Sequence, residues 1–285
     1  MINIAVLITC HNRKQKTIKC LQALFNQSHI ENVKLKIFLV DDDSTDGTKQ
    51  AINELFPDVI VIKGTGNLYW ARGMSLAWQE ALNSKEKFDY YLWINDDVCL
   101  FNTAIKELLK TQRNGAEIIV GSVCDPVTKH WTYGGWKFAS KFLRPFRFKI
   151  TNINGKPQEI DTFNGNVVLV PHAVYIKIGA IDNAFEHAYA DMEYSLRAKK
   201  NGITNLLAAE YVGECPSHTF DYEAYQKLSF FKKISNLFDR REKPPRDWFR
   251  MSYKYGGVLW PLHFFIGYIK SFFKILFKHN YFNNN

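Results

Sequence analysis

The residues richest in chemistry stand where short apolar runs stop. Val40-Asp41-Asp42-Asp43-Ser44-Thr45-Asp46-Gly47-Thr48 places four carboxylates within six positions. Like charges that close repel one another, and helix capping needs only one or two of them, so Asp41 reads as a ligand-binding residue. Thr9-Cys10-His11-Asn12-Arg13 offers hydroxyl, amide and guanidinium groups beside a helix N-terminus, a place for a ring or an anion, with simple capping as the alternative. Trp93-Ile94-Asn95-Asp96-Asp97-Val98 brings an amide and two carboxylates to the end of a buried run. Hard oxygen ligands of this kind suit Mg²⁺ or Mn²⁺ shared with a diphosphate; the plainer reading is a turn after a strand. The sequence contains neither G-x-x-x-x-G-K-[ST] nor G-x-G-x-x-G, so a metal is the expected neutraliser of phosphate charge. Asp191 and Glu193 open a fourth cluster, Tyr189-Ala190-Asp191-Met192-Glu193, where capping of the helix that follows is the structural reading.

The elements that position these clusters follow from hydrophobic spacing. Strands are expected at 3–9, 35–41, 58–62, 89–94, 117–123, 162–170 and 204–212. Between them, helices are expected at 14–27, 45–55, 70–83, 102–113, 171–178 and 191–201. Strands alternating with helices imply an α/β protein with a mainly parallel, doubly wound sheet, helices on both faces and ligands at the carboxyl ends of the strands. The stretch from about 124 to 149 is irregular; its Gly134-Gly135-Trp136, like Asn164-Gly165-Asn166, is a loop signal at a strand end.

The chain has 285 residues, enough for one large domain or two small ones, and its 46 % apolar and 23 % charged residues exclude disordered and fibrous classes. Its five cysteines are odd in number and form no C-x-x-C pair, so neither a disulfide framework nor a zinc site is suggested and a reducing compartment is expected. The N-terminal run Ile2–Ile8 lacks a basic flank and reads as a buried strand rather than an export signal. Net charge is +9, and it is concentrated at one end: from Lys232 onward eleven Lys/Arg face three acidic residues. There Lys270, Lys274 and Lys278 recur at a spacing of four among Phe264, Phe265, Ile269, Phe272, Phe273 and Phe277. That pattern suits a helix lying on an anionic membrane surface, while a helix packed on the body or forming a homodimer is the alternative. The uncharged stretch before Lys270 is too short to span a bilayer, and phenylalanines among the charges argue against nucleic acid.

In sequence order, Thr9-x-x-Asn12-Arg13, Val40-Asp41-Asp42-x-Ser44-Thr45-Asp46-Gly47-Thr48 and Asn95-Asp96-Asp97, each after an apolar strand, resemble the family 2 glycosyltransferases, inverting enzymes with the GT-A fold. The resemblance covers roughly residues 1–215 and includes members that transfer rhamnose. It implies a catalytic domain over 1–228, with a nucleotide-binding half at 1–100 and an acceptor-binding half at 101–228. A helical extension follows at 229–285. By resemblance Thr9, Asn12, Arg13, Asp41, Asp43, Asn67, Arg72 and Asp96 bind the nucleotide-sugar, Arg72 near its diphosphate. Asn95-Asp96-Asp97 takes the place of the family's Asp-x-Asp motif, with Asp97 as metal ligand and Asn95 in place of the first Asp. Asp43 stands where the family often has Gly. Asp191 matches the catalytic base, Ala190 replaces the Glu that often precedes it, and Glu193 is the fallback base on the acceptor side. His218 matches a histidine near metal or diphosphate, and Gly135, Trp136 and Asn164 line the acceptor or sugar side.

The implied activity is inverting transfer of a sugar from a nucleotide-diphosphate sugar, dTDP-rhamnose or a UDP-sugar, to a glycan acceptor, assisted by Mg²⁺ or Mn²⁺. The acceptor is expected to be lipid-linked and to belong to bacterial cell-surface polysaccharide synthesis, at the cytoplasmic face of the membrane. Two alternatives are a carbohydrate-binding protein on a degenerate GT-A fold and a sugar nucleotidyltransferase. The second is opposed by the absence of glycine between Thr9 and Lys14.

Overall fold

The computed structural model describes residues 1–28, 30–139, 146–217, 225, 227–240 and 242–276. Strands β1 (Ile2–Cys10), β2 (Val33–Asp41), β3 (Ile60–Lys63) and β4 (Tyr90–Ile94) alternate with helices α1 (Lys14–Phe25), α2 (Thr48–Leu55) and α3 (Tyr69–Asn83). Next come β5 (Cys99–Leu100), α4 (Ala104–Thr111), β6 (Ile118–Cys124), β7 (Trp131–Tyr133), β8 (Gly135–Phe138), β9 (Phe148–Thr151), β10 (Gln158–Ile160), β11 (Thr162–Phe163) and β12 (Val167–Pro171). Helices α5 (His172–Ile178) and α6 (Ala190–Lys200) and strand β13 (Asn205–Glu214) complete the body. The extension carries α7 (Phe230–Leu237), α8 (Pro245–Tyr255) and α9 (Trp260–Leu276).

The main sheet runs β10-β13-β6-β12-β4-β1-β2-β3, with β5 on β13 and β7 on β6. β1, β2, β3 and β4 pair in parallel, as do β6 and β13, so the carboxyl ends of β1, β2, β4, β6 and β13 lie along one side of the sheet. β12 is reversed against both β4 and β6. Because side chains alternate across a strand, each buried strand feeds two cores. Ile4, Val6, Ile8, Leu92 and Ile94 pack under α1, α2 and α4. Ala5, Leu7, Tyr91 and Trp93 pack under α3 and α6 on the other face, where Trp78, Trp93 and Tyr194 meet with ring centroids 5.0–5.9 Å apart. Edge-to-face and tilted pairs of this kind add to what area burial alone contributes.

The expected strand at 162–170 is two strands. Thr162–Phe163 joins a small three-stranded sheet, β11-β8-β9, and Val167–Pro171 enters the main sheet; the chain changes sheet at Asn164-Gly165-Asn166. The irregular stretch supplies β7 to β10, strands too short for periodicity to reveal. Helix α2 begins at Thr48 rather than 45, since Gly47 adopts φ +78° and Asp46 Oδ1 accepts the Thr48 N–H at 3.1 Å.

One close approach fixes α3 against β1. A Cβ on Gly73 would fall 2.2 Å from Thr9 Oγ1 and 2.8 Å from Thr9 Cβ. Ala raises helix propensity by about 1 kcal/mol over Gly, but overpacking a fixed contact costs about 1–3 kcal/mol. Gly73→Ala is therefore expected to lower the free energy of urea unfolding; an unchanged or raised midpoint would show that α3 shifts freely along β1.

Candidate active site

The carboxyl ends of β1, β2 and β4 meet in an acidic group whose repulsion is offset locally. Asn12, at φ +51°, donates its backbone N–H to Ser44 Oγ at 2.9 Å and accepts the Thr45 N–H on Oδ1 at 2.8 Å. His11 Nδ1 lies 2.7 Å from the Asp42 carbonyl, and Asp46 Oδ2 accepts the Lys14 N–H at 2.9 Å. These bonds stitch the turn after β1 to the turn after β2. Buried Asp41 accepts the Ser44 N–H at 3.0 Å, and Asp43 holds the left-handed φ of +58° that a glycine would take, which Asp tolerates. Asp43 is exposed, 3.6 Å from Lys63 Nζ.

Asp42 has a role the sequence did not single out. Its carboxylate accepts the backbone N–H groups of Gly66, Leu68 and Tyr69 at 2.7, 2.9 and 3.2 Å, satisfying donors at the start of α3. It thereby fixes the segment containing exposed Asn67 and half-buried Arg72. Arg72 Nη2 pairs with Glu186 Oε1 at 3.2 Å and its Nε donates to the Asn183 carbonyl at 3.4 Å.

Arg13 Nη1 bridges the two carboxylates at the end of β4, 2.9 Å from Asp96 Oδ1 and 3.0 Å from Asp97 Oδ2. The Cys215 thiol donates to Asp97 Oδ1 at 3.6 Å. Burial pushes the Asp96 carboxyl up to about 6, with Arg13 pulling it down and Asp97 pushing it up. Asp96 Oδ2 is buried and has no hydrogen-bond partner among the described residues. Two carboxylates with an unmatched buried oxygen fit one side of a divalent cation. Among the described residues no group of three or more His, Cys, Asp or Glu converges, so water and a bound phosphate would supply the remaining ligands. His218 lies outside the described residues.

Asp191 is joined to this group through an indole. Trp70 Nε1 donates to Asn95 Oδ1 at 2.7 Å, and the Trp70 ring lies 2.5 Å from where a Gly165 Cβ would stand. Gly165 N–H donates to Asp191 Oδ2 at 3.0 Å, while Met192 N–H donates to Oδ1 at 2.8 Å. Gly165 is required at this crossing because any side chain would strike the indole. Burial raises the Asp191 pKa above the ordinary carboxylate range, against the pull of those two N–H groups. Asn164 Oδ1 accepts from Trp136 Nε1 at 2.9 Å, and Gly135 packs where a Cβ would meet Ile160 Cδ1 at 2.7 Å.

Glu193 is enclosed elsewhere. At 1 % side-chain exposure it meets Arg197 Nη2 at 3.1 Å, Lys254 Nζ at 3.3 Å and the Tyr255 hydroxyl at 3.0 Å. A buried carboxylate held by two cations and a hydroxyl acts as a structural anchor, and these contacts account for Glu193 without a role as base.

A profile described as "Glycosyl transferase family 2" matches residues 5–179, more than half of the chain. The chain belongs to glycosyltransferase family 2. No curated protein matches it by sequence. Its GT-A fold is similar to that of the mannosyltransferase PcManGT from Pyrobaculum calidifontis, solved in complex with GDP-Man and Mn²⁺, at 16 % identity and TM-score 0.54. That match covers 85 % of this chain and 66 % of the mannosyltransferase. TarS 1–349 of S. aureus matches at 11 % identity and TM-score 0.53, covering 99 % of this chain and 74 % of TarS 1–349. Against a longer S. aureus TarS structure the TM-score is 0.55 at 11 % identity, and the chain spans 42 % of its length.

In this family 2 chain the extension grips the loop before Asp191. Trp248 and Met251 of α8 enter the core, and Lys254 also pairs with Asp182 at 3.0 Å. Arg240 meets Glu186 at 2.9 Å and lies 4.8 Å over the Tyr69 ring. Tyr255→Phe removes one bond to buried Glu193 while keeping the ring. Losing a hydrogen bond to a buried charge costs about 1.5–3 kcal/mol, so the free energy of unfolding measured in urea should fall by that amount and the midpoint with it. An unchanged midpoint would mean that the extension contributes nothing through this contact.

Proposed function

We propose that the chain is an inverting glycosyltransferase that moves a sugar from a nucleotide-diphosphate sugar to a glycan acceptor. The reading is carried by the arrangement of Asp191: a half-buried carboxylate with raised pKa, joined through Gly165 and Trp70 to the strand end that bears Asp96 and Asp97. In a single displacement the acceptor hydroxyl oxygen bonds the anomeric carbon as the bond to the diphosphate breaks, and Asp191 takes the hydroxyl proton. A raised pKa makes Asp191 a stronger base than an ordinary carboxylate. In this reading Asp41 and Arg13 hold the nucleotide. A divalent cation, Mg²⁺ or Mn²⁺, held by Asp96 and Asp97 would supply neutralising charge to the departing nucleoside diphosphate. Mn²⁺ and GDP-Man in the mannosyltransferase support the donor class and the ion. UDP- and dTDP-sugars, rhamnose included, are the donors we favour.

The acceptor is lipid-linked in this reading, and the protein works at the inner face of the membrane in cell-surface polysaccharide synthesis. Among the described residues no helix is long and apolar enough to cross a bilayer. Helix α9 instead exposes Leu262, Phe265, Ile269 and Phe272 at helical spacing, beside exposed Lys270. An apolar stripe edged by lysine suits anionic headgroups.

The test is donor turnover and nucleotide binding in wild type and Asp191→Asn. Turnover should fall by about 10²–10⁴-fold while the thermal shift given by UDP or dTDP with Mn²⁺ is kept, and a chelator should abolish that shift. In wild type kcat/KM should fall as pH drops, through a limb above the ordinary carboxylate value of about 4, because Asp191 must be ionised to act. Equal turnover in the variant would remove Asp191 as base. Absence of turnover in wild type, with sugar binding intact, would favour a carbohydrate-binding protein.

A further inference from the structure

Beyond the acidic group, the same side of the sheet carries a second concavity. A cleft of about 610 Å³ opens where β6 and β13 end, lined by Trp131, Trp136, Tyr211, Ile150, His130 and Asn152. Trp131 sits opposite Cys124 at the carboxyl end of β6, and the Trp131 and Trp136 rings meet edge-to-face, with centroids 5.3 Å apart at 87°.

The cleft is linked to the candidate active site by one hydrogen bond and by one short stretch of chain. Trp136 donates to Asn164, the neighbour of the Gly165 whose N–H holds Asp191. Ser217, also on its wall, lies two residues beyond the Cys215 that donates to Asp97.

The chemistry of the lining selects the ligand. Indole and phenol faces pack against the C–H faces of sugar rings, and His130 and Asn152 present groups that exchange hydrogen bonds with hydroxyls. Lys129 is the cation on the wall, and it pairs with Glu214. An internally paired lysine leaves little pull on a phosphate, which sets the cleft apart from the donor side.

We propose that this cleft is an acceptor subsite that binds a neutral sugar ring adjoining the one whose hydroxyl Asp191 deprotonates. The assignment deepens the glycosyltransferase reading and rests on it. It makes Trp131, Trp136 and Tyr211 determinants of acceptor choice rather than of donor choice.

The experiment uses the full chain and methyl glycosides of glucose, galactose, N-acetylglucosamine and rhamnose, with binding followed by saturation-transfer NMR. At least one glycoside should bind wild type, lose about tenfold in affinity in Trp131→Ala and recover part of it in Trp131→Phe. Tyr211→Ala, which leaves the paired indoles in place, should also weaken it. The thermal shift given by UDP or dTDP should be equal in all four proteins, which also shows that the variants are folded. Octyl and methyl glycosides should bind alike, since the ring is common to free and lipid-carried acceptors.

The proposal fails if no glycoside binds wild type, if Trp131→Ala binds as well as wild type, or if the nucleotide displaces the glycoside. It fails equally if Trp131→Ala only changes the sedimentation of the protein, which would make the cleft a contact between two copies. Glycoside binding lost in Trp131→Ala without any donor turnover in wild type would keep the cleft and overturn the transferase reading instead.

Discussion

The structure is organised around carboxylates that must share the end of one sheet. Asp41, Asp42, Asp96 and Asp97 are all buried there, and like charges at that range repel strongly in a medium less polar than water. The protein offsets them with three devices. Arg13 faces two of the four, backbone N–H groups at the start of α3 face the third, and Ser44 N–H faces the fourth. Each device comes from a different segment, so the acidic group defines where the turns after β1 and β2 and the start of α3 must lie. What is left over in this group is an oxygen of Asp96 that has no partner among the described residues.

Much of this was legible in the sequence because it is local. The first four strands and three helices follow from runs and periods long enough to read, and each acidic motif sits where its strand stops. The roles of Asp42, Trp70 and Glu193 were not legible, because they depend on pairs far apart in the chain. Glu193 reads as one more acid in the first turn of a helix; only the arrival of Lys254 and Tyr255, some sixty positions later, turns it into an anchor. The split of the strand expected at 162–170 was hidden for a related reason. Thr162 and Phe163 are as buried as Val167 and Val168, so burial continues while the chain passes between two sheets.

The extension is similarly two-sided. Its charge and aromatic content suggested a surface helix, and α9 does present such a face. Yet Trp248 and Met251 are core residues, and Phe264 and Tyr268 of α9 pack against the same core. One face of the segment completes the body while the other is left outward, so a surface it meets is mechanically joined to the loop that leads to Asp191.

The Glu193 anchor also bears on how the molecule comes into being at the ribosome. Domains form largely in the order of their synthesis, and the first half of the chain needs nothing later than β12 to close its sheet around β4. The helix that carries Asp191 is different. Its buried Glu193 has Arg197 from the start but gains Lys254 and Tyr255 only some sixty residues later in synthesis. A nascent chain therefore closes the sheet around β4 well before the helix that carries Asp191 is locked beside it.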